Sequence, residues 1–123
     1  MIQGIVTSRR EAVISLPIRG PGGASLTLDV IIDTGFSGLL ALSPLLVASL
    51  GLPRQSGGRA VMADGNPVQF EVFAAEIEWD GNWRMISVFA LGNEPLLGMK
   101  LLDGHELRIA VNTGGVVEIT PLP

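Results

Sequence analysis

One carboxylate of this chain stands between two of its most apolar segments. Asp33 follows the β-branched residues 30–32, and the apolar residues 39–42 come soon after it. Residues 30–32 predict a buried strand, because β-branched side chains fit a pleated core surface. A charge at the end of such a strand is costly unless hydrogen bonds stabilise it or its pKa rises. Asp33 is therefore the first candidate for a catalytic acid or base.

The tripeptide Asp33-Thr34-Gly35 also has a simpler interpretation. It is a common turn sequence, since aspartate bonds its own backbone and glycine allows positive φ. The apolar residues on both sides favour catalysis, because a plain hairpin turn usually lies at the wet edge of a sheet. On the residues alone, both interpretations stay open.

Two motifs resemble those of the retropepsin-like aspartic proteases, including their small prokaryotic members. The first is a pair of apolar residues before Asp-Thr-Gly, at residues 31–35, and the second is Leu96-Leu97-Gly98. The resemblance covers most of the chain in order and spacing, although these two motifs alone are specific. It implies an all-β protein, a closed retropepsin-like acid-protease barrel with one or two short helices, that forms a two-fold dimer.

The resemblance also implies aspartic endopeptidase activity. Peptide hydrolysis needs a base that takes a proton from water and an acid that gives one to the substrate. Two carboxylates about 3 Å apart divide these roles, since both cannot ionise at once and one proton is shared. One Asp-Thr-Gly occurs in the 123 residues, so the second carboxylate is expected from Asp33 of another copy. The expected partners are a second chain and a peptide or protein substrate.

Four residues are expected to support Asp33. Gly35 lets the backbone come close enough for its N–H to hold the carboxylate. The resemblance implies that the Thr34 hydroxyl bonds across the two-fold axis. Leu97 and Gly98 are expected to pack behind the loop, Leu97 keeping it dry and Gly98 allowing the close approach. For Leu97, ordinary core packing is the alternative, and it is compatible with support.

Two features bear on substrate binding. The residue after Asp-Thr-Gly is usually Ala or Ser in the resembled family, whereas here it is Phe36, which narrows the site or forms a pocket wall. Residues 59–70 predict a hairpin with Asp64-Gly65 at its tip. The resemblance implies that this hairpin is a flap over the substrate, with Met62, Ala63, Asp64 and Gly65 in contact with it. An ordinary hairpin is the alternative.

The remaining chain predicts a single domain over residues 1–123. Short strands are expected at residues 2–6, 12–18, 25–32, 71–79, 83–90, 96–98, 106–111 and 116–120. Ser43, Pro44 and Gly51 are typical of the first and last positions of a helix. Residues 55–59 predict a polar, glycine-rich link. Short strands with frequent turns and few helices favour a closed all-β domain.

Three further side chains have simple expected roles. Trp79 and Trp83 flank a turn and are expected to pair across the two strands. Asp29 is expected to be a solvated strand residue. His105, the one histidine, is expected to lie exposed in a loop.

Composition excludes several other functions. The net charge is −4 and aromatic residues make up 5%, without a basic run, so nucleic-acid binding is not expected. With no cysteine and one histidine, thiol nucleophiles and Cys- or His-rich metal sites are excluded within one chain, and no cofactor or metal is expected. The longest apolar stretch, residues 39–52, is shorter than the roughly 20 residues that span a bilayer. We read no signal peptide and expect a cytoplasmic protein without membrane contact.

The hydrophobic fraction of 47% indicates that apolar surface is covered by another chain. Besides the protease, two alternatives therefore remain. One is a non-catalytic dimeric module of the same fold that binds peptide or protein, and the other is a structural subunit that packs on a different protein. The intact Asp-Thr-Gly favours the protease, since a binding module has no evident need for a carboxylate in that apolar setting.

Overall fold

The computed structural model describes residues 1–61 and 64–123. Its helices and strands run in the following order: β1 Ile2–Val6, β2 Ala12–Arg19, β3 Ser25–Ile32, β4 Leu40–Leu42, α1 Pro44–Ser49, β5 Arg54–Val61, β6 Pro67–Trp79, β7 Asn82–Ala90, β8 Leu96–Leu97, α2 Met99–Leu102, β9 His105–Ile109 and β10 Val116–Pro121.

Six of these strands close into a barrel. Around it the order is β6, β7, β4, β8, β3 and β2, and β2 pairs with β6 again through Ile18 opposite Ile77 and Arg19 opposite Glu76. A closed barrel leaves few strand edges exposed. The predicted all-β class, with a closed barrel and short helices, is thus confirmed.

The strands outside the barrel occupy both ends of the sheet order. β5 pairs with β6 at one end, and β1, β10 and β9 continue from β2 at the other. β1 lies between β2 and β10, and β10 lies between β1 and β9. The first and last strands therefore pair within their own chain on both sides.

Alternating apolar residues fill the interior of the barrel. In β2, Ile14, Leu16 and Ile18 are buried while the residues between them are more exposed, which is the two-residue period of a strand. Leu97 from β8 and Ile77 from β6 are fully buried with them. This core fixes which face of each strand points outward.

Helix α1 follows its predicted signals. The Ser43 hydroxyl accepts a 3.2 Å hydrogen bond from the Leu46 amide, and Pro44 opens the helix. The chain leaves the helix through Gly51, whose φ of 63° is one that glycine tolerates best.

Two sequence predictions about local structure are wrong. Residues 55–59 belong to strand β5 instead of a link, because β6 supplies their hydrogen-bond partners. Trp79 and Trp83 do not pair: Asn82 lies opposite Trp79 and Glu78 opposite Trp83, so the two indoles point to opposite faces.

The indole of Trp79 is instead buried against His105. Its Nε1–H donates to His105 Nε2 over 3.3 Å, and the two rings meet edge to face. His105 is half-buried at the start of β9, so its expected place in an exposed loop is also wrong. Asp29 is exposed as expected, and accepts a hydrogen bond from the Ser15 hydroxyl over 3.2 Å.

Candidate active site

Strand β3 carries the chain from the core to Asp33. The Ile31 amide donates to the Pro95 carbonyl and the Asp33 amide to the Leu97 carbonyl, each over 2.9 Å. Both bonds join β3 to the segment containing β8, which runs parallel to it. The position of Asp33 is therefore set by the second apolar motif and not by its own turn alone.

The carboxylate of Asp33 is held by the turn that follows. Oδ1 accepts a 2.9 Å hydrogen bond from the Gly35 amide, and the Asp33 carbonyl accepts one of 3.1 Å from the Phe36 amide. An amide aimed at a carboxylate stabilises its charge. Asp33 is half-buried, whereas Thr34 and Gly35 are exposed. The loop thus supports the carboxylate from the protein side and remains open on the other.

The segment after Leu97 holds the rest of this loop. The Gly98 amide donates to the Leu39 carbonyl over 2.9 Å, and the Met99 amide donates to the Phe36 carbonyl over 2.8 Å. Leu97 itself is fully buried. Because these backbone bonds fix the carbonyl groups of Phe36 and Leu39, the loop has little freedom to move away from its support.

Gly98 has no room for a side chain. A Cβ there would collide with the Gly38 carbonyl oxygen and would lie 2.7 Å from Cδ2 of Phe36. The glycine is therefore required by a close approach of two backbones, which is the role that the family resemblance implies for it.

The Phe36 ring is the first of three aromatic rings that are joined by two contacts. Its centroid lies 5.7 Å from that of Phe89 in an edge-to-face arrangement, and the Phe89 ring lies 4.5 Å from that of Phe70. All three residues are half-buried. We call Phe36, Phe89 and Phe70 the aromatic wall. It extends from the Asp33 loop to strand β6, which carries the hairpin.

The predicted hairpin is formed by β5 and β6, with Val61 opposite Pro67. At its tip, Asp64 accepts hydrogen bonds from the Asn66 backbone amide over 2.9 Å and from the Asn66 side chain over 3.0 Å. These bonds hold the pKa of the Asp64 carboxyl below its usual value, the backbone bond having the larger effect. Gly65 has a φ of 84°. The other two residues assigned to substrate contact, Met62 and Ala63, lie outside the described residues.

A row of apolar side chains crosses the outer face of the sheet toward Asp33. Ile5 lies opposite Val116 on one side and Val13 on the other, and Val13 lies opposite Ile31. Directly opposite residues in neighbouring strands share a face. We call Val116, Ile5, Val13 and Ile31 the apolar row. Ile5 and Val116 are 53% and 48% exposed.

The row ends beside the candidate catalytic residue, since Asp33 is two residues beyond Ile31. Sequence reasoning missed the row, because its residues come together only through the pairing registers of four strands, one of them the last in the chain.

Two other kinds of site have no support in the described part of the chain. There, no group of three or more histidine, aspartate and glutamate side chains is placed to hold a metal ion. Neither α1 nor α2 has the length and apolar character needed to cross a membrane, and these are the helices over residues 1–61 and 64–123.

Comparison with known proteins finds similarity among solved structures. No family model matches the sequence, and no curated protein matches it. Among solved structures, the chain is similar to a retropepsin-like aspartic protease from Rickettsia conorii, with a TM-score of 0.58 over 99% of this chain and 92% of that chain. This chain has a retropepsin-like fold. Sequence identity is 14%, so the match concerns the fold alone.

The retropepsin-like fold brings together most of the residues that the two motifs single out. Asp33, Gly35, Leu97 and Gly98 meet in one hydrogen-bonded unit. Thr34 lies exposed at the same turn, and its proposed bond to a second chain is not tested by a single chain. The sequence reasoning missed three residues that contact this unit or extend from it, namely Gly38, Phe89 and Phe70. Their contacts depend on strand pairing and have no local signal.

Proposed function

We propose that the protein is an aspartic endopeptidase that acts as a homodimer through its two Asp33 residues. The observation that carries this proposal is the position of the Asp33 carboxylate, directly after a buried strand of a retropepsin-like fold. This carboxylate accepts a hydrogen bond from the Gly35 amide. The Leu97 carbonyl fixes the backbone behind it. The similar Rickettsia structure is described as an aspartic protease, which supports the same chemistry here.

In this mechanism, the two Asp33 carboxyl groups share one proton. The ionised one takes a proton from a water molecule, whose oxygen attacks the scissile carbonyl carbon, while the protonated one donates its proton to the carbonyl oxygen. The tetrahedral intermediate then collapses. Its C–N bond breaks as the carboxyl group that took the water proton gives it to the leaving nitrogen, and one hydroxyl of the intermediate returns its proton to the other carboxylate. The products are a carboxylic acid and an amine, and the two Asp33 residues again share one proton.

The second copy is expected to approach over the outer face of β3. Each chain supplies one Asp-Thr-Gly, so the dyad is incomplete without a partner. β1 and β10 already pair on both sides within their own chain, which leaves them no free edge for a sheet shared between two chains. The apolar row, in which Ile5 and Val116 are exposed and which ends beside Asp33, offers surface for a two-fold contact instead.

The decisive experiment is Asp33→Asn, assayed on a mixed peptide library from about pH 3 to 7, where coupled carboxylates titrate. The amide keeps the shape of the side chain but cannot share the proton, so cleavage should fall by orders of magnitude while the circular dichroism spectrum is retained. Asp29→Asn is the matched control, since it changes an exposed carboxylate on β3, the strand that leads to Asp33.

If Asp33→Asn cleaves peptides as fast as the parent protein, the aspartic mechanism is wrong. If neither the parent nor the variant cleaves peptides but both bind them equally, the protein is a binding module of the same fold.

A further inference from the structure

We propose that Phe36 closes the substrate subsite next to the Asp33 loop, so that the enzyme requires a small side chain, Gly, Ala or Ser, at one substrate position beside the scissile bond. This inference rests on the proposed function, because it concerns the specificity of that site. It depends on the packing of one ring and not on the catalytic residues.

The ring of Phe36 lies against two backbones that have no side chains. A Cβ on Gly98 would lie 2.7 Å from its Cδ2, and a Cβ on Gly38 would lie 2.6 Å from its Cζ. Carbon atoms in contact are separated by about 3.5 to 4.0 Å, so the ring occupies the volume that either side chain would need. The two glycines thus form a seat for the ring.

Phe89 fixes the ring from another side. Its Cε2 would lie 2.9 Å from a Cβ on Gly38, and it meets Phe36 edge to face. Phe70 stacks on Phe89 in turn. A ring held by two backbones and a second ring cannot turn aside for a ligand without losing these contacts.

The aromatic wall begins in the Asp33 loop itself. The Phe36 amide donates to the Asp33 carbonyl over 3.1 Å, so the first ring of the wall belongs to a residue only three positions after the carboxylate. From there the contacts of Phe89 and Phe70 continue the wall to β7 and β6. A substrate held at Asp33 and extended toward β6 therefore passes over the wall.

The aromatic wall offers a substrate side chain a surface to contact but no deep pocket. Each of its rings is half-buried, so part of each stays open to a ligand. A side chain of one or two heavy atoms fits over the Phe36 ring, whereas a leucine or phenylalanine side chain would need the volume that the ring fills. Size exclusion of this kind in an apolar pocket is worth about tenfold or more in kcat/KM.

The test is the specificity of Phe36→Ala, measured as kcat/KM on peptides that vary one position at a time. The parent should prefer Gly, Ala or Ser at one position beside the scissile bond. In the variant, kcat/KM for Leu or Phe at that position should rise about tenfold or more relative to Ala. The pH profile of cleavage should keep its shape, because Asp33 and its hydrogen bonds are unchanged.

Two further variants keep the test clear. Phe36→Leu removes less volume and should relax the preference in the same direction to a smaller extent if the alanine variant does not fold. Phe73→Leu is the matched control, because Phe73 lies three residues from Phe70 on β6 and packs against the core. It should lower stability without changing the size preference.

Failure of this inference is distinguishable from failure of the proposed function. An unchanged size preference in folded Phe36→Ala or Phe36→Leu would overturn the inference while leaving the protease intact. Parental activity of Asp33→Asn would overturn the aspartic mechanism instead. If no peptide is cleaved, the same series is measured by binding to the Asp33→Asn protein. If the Asp33→Asn protein prefers small side chains in binding and this preference disappears when Phe36→Ala is added, the role of Phe36 is supported. If the Asp33→Asn protein shows no size preference, that role is overturned.

Discussion

The amide of Asp33 donates a hydrogen bond of 2.9 Å to the carbonyl oxygen of Leu97. This bond joins the two motifs that are most distinctive in the sequence, and it does so through the backbone. The candidate catalytic residue is thus positioned by a buried segment that is distant from it in the sequence, since Leu97 is fully enclosed by the core. Mutations behind the loop should therefore affect catalysis as well as stability.

Gly98→Ala should destabilise the fold and lower activity. The new methyl group would overlap the Gly38 carbonyl and the Phe36 ring, and overpacking of this kind costs about 1 to 3 kcal/mol. Gly22→Ala is the control, because a Cβ at Gly22 meets nothing within 4 Å. Urea unfolding measures the difference in stability between the two variants. Equal unfolding midpoints would show that the loop can shift to make room for a side chain at Gly98.

The protein should sediment as a dimer at micromolar concentration, and Ile5→Lys should shift it to a monomer. Ile5 is 53% exposed in the apolar row, and burying a lysine there in a two-fold contact would be unfavourable. Gln3→Lys places the same charge two residues away on the same face of β1 and should leave the dimer intact. A parent that is monomeric at all concentrations would contradict the shared dyad.

The hairpin should become protected when a peptide analogue binds. The backbone amides of Asp64 and Gly65 lie at the exposed tip between β5 and β6, so they should exchange rapidly in the free protein. Closure over a ligand should slow them, whereas amides of β2 in the barrel should change little. Hydrogen exchange with and without the analogue measures this, and equal rates at the tip would argue against a flap.

The hydrogen bonds at the hairpin tip should persist below the pH at which an ordinary aspartate becomes protonated. The Asp64 carboxylate accepts two hydrogen bonds from Asn66, and these lower its pKa. It therefore becomes protonated only when the pH falls through this lowered value. Any stabilisation by the Asp64 carboxylate is present above the usual aspartate pKa and is lost as the pH falls through the lowered pKa.

The Asn66 amide resonance should therefore titrate with a midpoint below the reference aspartate value of about 3.9. Asp64→Asn should abolish this titration while keeping an oxygen acceptor. A midpoint at or above the reference value would show that the bonds do not form in solution.

The sequence by itself determined the local elements and the two motifs. The bounds of β1 and β3 agree with their predicted residues, because apolar alternation and flanking turns are properties of neighbouring residues. Helix α1 likewise starts at its predicted Ser43 cap. The expectation that Leu97 and Gly98 pack behind Asp33 came from the family resemblance together with the size of glycine.

Only the tertiary structure decided which distant residues share a face. Residues 55–59 became a strand because β6 pairs with them, against their polar, glycine-rich composition. The aromatic wall and the apolar row each join side chains from separate strands, and registers between strands are set by the whole core. Phe36 could be noted in the sequence as unusual, but its seat on Gly38 and Gly98 exists only once the loop and the segment after β8 pack together.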